Sequence, residues 1–176
     1  MTNTLEEDMQ LATDGPAPSD QAALAKMIEL IMTKGATFRD AFQVSDEQMK
    51  ALYARGYELQ RQQKYQQAQQ VFEYLCYLNH FDEAYWIALG FCREQQKQHQ
   101  KAVQAYVMAG ALDVDNPVPP LRCAECLMRM DRLAEARSAA EMAIRVAGDD
   151  PRYARRRERA EFLLKAIDKR RQKRRG

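Results

Sequence analysis

Sliding the 176-residue chain against itself by 34 positions brings Gly56 onto Gly90 and Ala124, Ala68 onto Ala102 and Ala136, and Phe72 onto Tyr106 and Ala140. Tyr65 falls on His99 and Leu133, and Leu75 on Ala109 and Ala143, so three units stand in register without a gap. A chain that returns small and large residues to fixed places at this period is built from one supersecondary unit. Each copy must bury its apolar face against the next, because none can bury it alone.

A 34-residue period carrying helix-length apolar patterns implies tetratricopeptide units, each a pair of antiparallel helices. Within a pair, Gly56, Gly90 and Ala124 lie where the second helix crosses the first, with Ala68, Ala102 and Ala136 facing them. Phe72 and Tyr106 then fill the space toward the next unit, and Leu52 and Trp86 take the large apolar position four residues before each glycine. The spacing predicts helices over 46–61, 64–78, 82–96, 98–112, 119–130 and 132–146. Ser45 with Gln48 forms a capping box for the first, and Pro117 and Pro151 close units. The third unit departs from the pattern, with Pro120 at an apolar position and Ala140 at an aromatic one.

Few glycines and prolines and many Ala, Gln, Glu, Arg, Leu and Met agree with helix throughout. The expected fold is all-α: a tetratricopeptide solenoid of three helix pairs, with an N-terminal amphipathic helix and a C-terminal capping helix. Residues 1–19 form an acidic leader, expected to be disordered. Residues 20–44 form an N-terminal helical segment in which Leu24, Met27, Ile28 and Ile31 make one apolar stripe ending near Gly35. Residues 45–150 hold the repeats. Residues 151–168 form the capping helix, with a stripe of Ala160, Leu163, Leu164 and Ile167, and 169–176 are a basic tail.

The net charge of +2 conceals opposite ends: residues 1–20 carry five acids and no base, residues 152–176 twelve bases and three acids. No apolar run is long enough for a membrane span, and no lysine or arginine opens a secretory signal, so the expected location is the cytosol. Cys76, Cys92, Cys123 and Cys126 all lie inside apolar helical patterns and read as reduced packing residues rather than ligands of a metal. His80 and His99 have no nucleophile or carboxylate placed to work with them, and there is no phosphate-binding glycine loop. Neither catalysis nor a cofactor is expected.

Binding is the remaining chemistry. Off the glycine face, the first helix of each pair presents Tyr53, Tyr57 and Gln60, then Ile87, Phe91 and Glu94, then Leu121, Glu125 and Met128, each trio along one stripe. An aromatic and aliphatic groove of this kind suits an extended peptide, with Gln60, Glu94 or Glu125 bonding its backbone. The basic end lacks interleaved aromatics for stacking bases, which disfavours nucleic acid; an acidic partner, or the chain's own acidic leader, is the other electrostatic match.

Residues 35–117 resemble a known family. "GAT" at Gly35–Thr37, "LYARGYE" from Leu52, "VFEYLCYLNHFD" from Val71 and "RCAEC" over Arg122–Cys126 are similar to class II chaperones of bacterial type III secretion systems, the SycD/LcrH type. The resemblance extends over about residues 22–165. It implies a chaperone of the bacterial cytoplasm that keeps two hydrophobic translocator proteins soluble and apart before export. A Pro-x-Leu-x-x-Pro segment of the cargo would lie in the groove, where Tyr53, Tyr57, Tyr65 and Tyr106 match aromatic positions. The resemblance also implies a homodimer through the N-terminal helix and first repeat, with Leu24, Met27, Ile28 and Ile31 in contact, and a transcription activator as a further partner. The alternative reading is a repeat scaffold or transcription co-regulator acting through the basic tail.

Overall fold

The computed structural model describes residues 37–173, in eight α-helices and one 3-10 turn. Leu24, Met27, Ile28 and Ile31, the proposed dimer stripe, lie outside the described residues. The helices are α1 Phe38–Ala41, α2 Asp46–Arg61, α3 Tyr65–Leu78, α4 Glu83–Gln95, α5 His99–Leu112, α6 Val118–Arg129, α7 Leu133–Ala147 and α8 Ala154–Lys173. The six repeat helices begin and end within one residue of the bounds read from the sequence.

Local chemistry sets these limits. Thr37 caps α1 and receives a reciprocal capping box from Asp40, whose carboxylate accepts from the Thr37 N–H at 2.7 Å and from its hydroxyl at 2.8 Å. These bonds, with nearby Arg39 adding less, hold the Asp40 carboxyl below its usual value. The Ser45/Gln48 box on α2 forms as the sequence predicts. Pro119 and Pro120 sit in the first turn of α6, where a missing N–H costs no helical bond, and this is how the third unit accommodates its proline. Asp150 caps the 3-10 turn Pro151–Tyr153 by accepting from the Arg152 N–H at 2.9 Å.

The turn joining each helix pair has the same backbone in all three units. Gln63, Lys97 and Asp131, again 34 apart, take φ of 58°, 61° and 64°. The next N–H then reaches back to close the helix, from Lys64 to Leu59, Gln98 to Arg93 and Arg132 to Leu127.

Pairs α2/α3, α4/α5 and α6/α7 stack in order, and α8 packs on α7 and α6. Two runs of buried residues fill the stack, one around Leu59, Phe72, Leu75 and Leu89, the other around Tyr106, Ala124, Ala140 and Ile167. Phe72 and Tyr106 reach toward the next unit as the spacing predicts, Phe72 in the cluster that holds Tyr85 and Leu89 and Tyr106 in the one that holds Ala124 and Cys126, and each ring also lies over the glycine of its own unit. A Cβ built on Gly56 would stand 2.6 Å from Cζ of Phe72, and one on Gly90 2.6 Å from Cε1 of Tyr106. The third unit carries a methyl at Ala124, and opposite it the aromatic has become Ala140, both fully buried. Small against large is exchanged for small against small, as close packing requires.

The tail needs correction. α8 continues through Lys173, so residues 169–173 are helical rather than part of a basic tail. Arg170 holds this stretch to the last repeat by donating to the Met128 carbonyl at 3.4 Å and pairing with Asp131 at 3.8 Å.

Candidate functional site

The first-helix face begins with an aromatic cluster. Tyr53 and Tyr57, one turn apart on α2, meet edge to face with centroids 4.8 Å apart and their hydroxyls 3.1 Å apart. Both stand edge-on to the buried ring of Phe72, and Tyr53 also contacts Tyr85 at 5.4 Å. Phe72 fixes the platform from below, and Tyr57 stays 41% exposed at its surface. Burial, then the hydrogen bond with Tyr57, raises the Tyr53 phenol, so Tyr53 stays neutral and presents a hydroxyl rather than charge. Next along the stack, Tyr65 at the start of α3 meets Phe91 of α4 edge-on at 6.1 Å, and Ile87 is half-buried one turn before it. Tyr53, Tyr57, Tyr65, Ile87 and Phe91 thus supply the open part of the expected groove.

The polar members of the expected groove are engaged inside the chain. Gln60 donates to the Ala88 carbonyl and the Cys92 sulfur, both at 3.1 Å, tying the first pair to the second. Glu94, 6% exposed, accepts from the Tyr106 hydroxyl at 3.0 Å and from Arg129 at 2.7 Å. Glu125, 8% exposed, takes Arg122 at 3.1 Å and Arg159 of α8 at 2.9 Å. The expectation that these three bond a guest's backbone is therefore corrected: Gln60 and Glu94 join neighbouring repeats, and Glu125 joins the last repeat to α8. Burial works against the charge of Arg122, and Glu94 and Glu125 outweigh it, leaving its pKa raised.

Tyr106, 1% exposed, lies behind the surface against Gly90 rather than in the groove. Leu121 is buried, and Met128 packs into the second core cluster. The reason is α8: its arginines close over α6, so the third trio faces a covering helix. Arg122, Arg129 and Arg159 are the residues that sequence reasoning missed. Their signal was the buried acid at a repeat position, since Glu94 is reached by Arg129 of the next unit.

A second apolar surface lies on the other side of the stack. A groove of about 700 Å³ runs between α5 and α7, with Val103, Val107, Val114, Pro119, Ala139 and Met142 among its lining. Val114 is 68% exposed and Val107 57%.

The four cysteines are free and buried, and burial pushes their thiols up, to about 11 for Cys92 and about 12 for Cys76, Cys123 and Cys126. Among the described residues no three His, Cys, Asp or Glu are grouped as metal ligands would be. Nor is any helix among them long and apolar enough to cross a membrane.

Stacked helix pairs with an aromatic platform define a tetratricopeptide binding protein, and tetratricopeptide repeat models match residues 49–82 and 94–157. The chain is 30% identical over 140 residues to Low calcium response locus protein H of Yersinia pseudotuberculosis, covering 80% of this chain and 83% of that one. Among solved structures, Yersinia enterocolitica SycD in complex with a peptide of the translocator YopD superposes with TM-score 0.70 at 30% identity, over 73% of this chain and 98% of that one. PcrH in complex with the chaperone-binding region of PopD gives TM-score 0.70 at 31%, over 72% and 96%; PcrH comes from Pseudomonas aeruginosa. The chain belongs to the class II chaperones of type III secretion systems, the SycD/LcrH type. Its relatives are chaperones rather than enzymes.

Proposed function

We propose that this chaperone holds an extended segment of a hydrophobic translocator, of the Pro-x-Leu-x-x-Pro kind, across the aromatic platform of α2 and α4. The observation that carries this is the Tyr53/Tyr57 pair, buttressed by buried Phe72 and open to solvent at Tyr57. Prolines and a leucine find flat apolar faces there, and the tyrosine hydroxyls offer hydrogen-bond partners for the guest's backbone. Bound cargo is withdrawn from aggregation by mass action, without ATP, in the bacterial cytoplasm. Two translocators would share the chaperone in turn, and the free protein would be a homodimer through Leu24, Met27, Ile28 and Ile31. A transcription activator is the partner proposed for the chaperone once cargo has left.

Fluorescence anisotropy of a labelled Pro-x-Leu-x-x-Pro peptide tests the reading. Saturable binding is expected, lost in Tyr57→Ala with Phe91→Ala while the helical spectrum is unchanged. The α5/α7 groove supports a second reading, because its apolar hollow is deep and open. Binding that survives the Tyr57/Phe91 change but disappears in Val107→Glu with Met142→Glu would move the cargo there.

A further inference from the structure

α8 carries nine bases against three acids. Arg157, Arg159 and Arg170 are engaged with Asp149, Glu125 and Asp131. Arg155, Lys165, Lys169 and Lys173 are exposed and have no ion pair among the described residues. At about 100° per residue they fall on the side of the helix opposite buried Ala160, Leu163 and Ile167. Phe162 stands in their midst, 65% exposed, its ring 6.0 Å from the Arg159 guanidinium carbon. Two acids, Glu158 and Glu161, share this face, and Glu161 is turned to Arg157 at 3.8 Å. A single exposed aromatic is ordinary. Set among unpaired cations, it defines the chemistry of what fits: acids interspersed with apolar side chains.

The chain itself contains such a segment. Leu5-Glu6-Glu7-Asp8-Met9-Gln10-Leu11 places three acids between apolar residues, within a leader of five acids and no base. Residues 12–36 separate it from Thr37, and with the expected helix from residue 20 that length still spans up to about 50 Å. The steps from α2 to α4, α6 and α8 amount to about 30 Å, so the segment reaches α8 of its own chain. Tethering supplies a local concentration that a separate acidic protein would have to match.

We propose that residues 5–11 dock on the outer face of α8 in the same chain, their acids against Arg155, Lys165 and Lys169 and their apolar side chains on Phe162. The contact covers the basic face and keeps polyanions from it, and since its charges lie at the surface, salt weakens it.

A spin label on Asn3→Cys in the full-length chain tests this, since the four native thiols are buried and unreactive. Selective loss of the amide signals of residues 158–169 is expected at about 0.05 M salt, reversing at about 0.5 M, where charges are screened beyond a few ångströms. Charge reversal by Glu6→Lys, Glu7→Lys and Asp8→Lys should restore those signals, and Phe162→Ala should weaken the loss. Unaffected α8 amides, or a loss that survives charge reversal, would overturn the proposal. So would a loss seen only when labelled chains are mixed with isotope-enriched unlabelled ones, which would place the leader on a second copy. Amides that respond to an added RNA oligonucleotide and never to the label would assign the face to nucleic acid instead.

Discussion

Gly90 and Tyr106 work as one unit. Gly90→Ala puts a methyl inside the tyrosine ring and should cost about 1–3 kcal/mol, as overpacking does. In a Tyr106→Ala background the same change reproduces the Ala124/Ala140 arrangement and should be neutral or stabilising, because alanine is the better helix former. Denaturation of the four proteins measures this coupling, and equal costs in both backgrounds would refute it. Asp40 gives a pH dependence of definite sign. Its carboxyl lies below the usual 3.8 when folded, so its contribution is complete above that value and disappears as pH falls through the folded value. The stability gap between the wild type and Asp40→Asn should therefore narrow as acid is added, in thermal melts across that range. The small positions were legible in the sequence because repetition names them. The spacing also set the aromatics toward the next unit, but it did not show that each ring would lie on the glycine of its own unit as well.

At the scale of the element, the three turns at Gln63, Lys97 and Asp131 hold ordinary residues in a left-handed backbone that glycine adopts without steric cost. Lys97→Gly should raise stability by about 0.5–1 kcal/mol, the gain from relieving the turn less the entropy of a freer unfolded chain. A higher denaturation midpoint at unchanged slope would register it. Helix limits were legible to within one residue because the 34-residue period carries each turn from one unit to the next, with Ser45 and Pro117 marking two of the starts. α8 was read too short for the opposite reason: beyond Ile167 no apolar residue announces a helix, and Arg170 holds it through a carbonyl and a carboxylate of the last repeat instead. Long-range ion pairs and side-chain hydrogen bonds leave little periodic trace, which is also why the partners of Gln60, Glu94 and Glu125 inside the chain were not foreseen.

For the whole molecule, the sequence pointed to an aromatic surface, and Tyr53, Tyr57, Tyr65, Ile87 and Phe91 are left uncovered enough to form the proposed platform. The capping helix was expected too, but not the arginine contacts that bring it onto Glu125 and Met128 of the third trio. The proposed homodimer is tested here too. Met27→Glu with Ile31→Glu should shift the free protein to monomer by light scattering, leaving the helical spectrum intact; an unaltered mass would remove that interface.

The arginines that bring α8 down over α6 have a consequence for length. With the third repeat occupied by the chain's own helix, the platform spans two first helices, about 20 Å, or roughly six residues of extended peptide. On the proposed reading the chaperone would be a ruler with a fixed stop, gripping a short motif and leaving the rest of a long hydrophobic guest to emerge at either side.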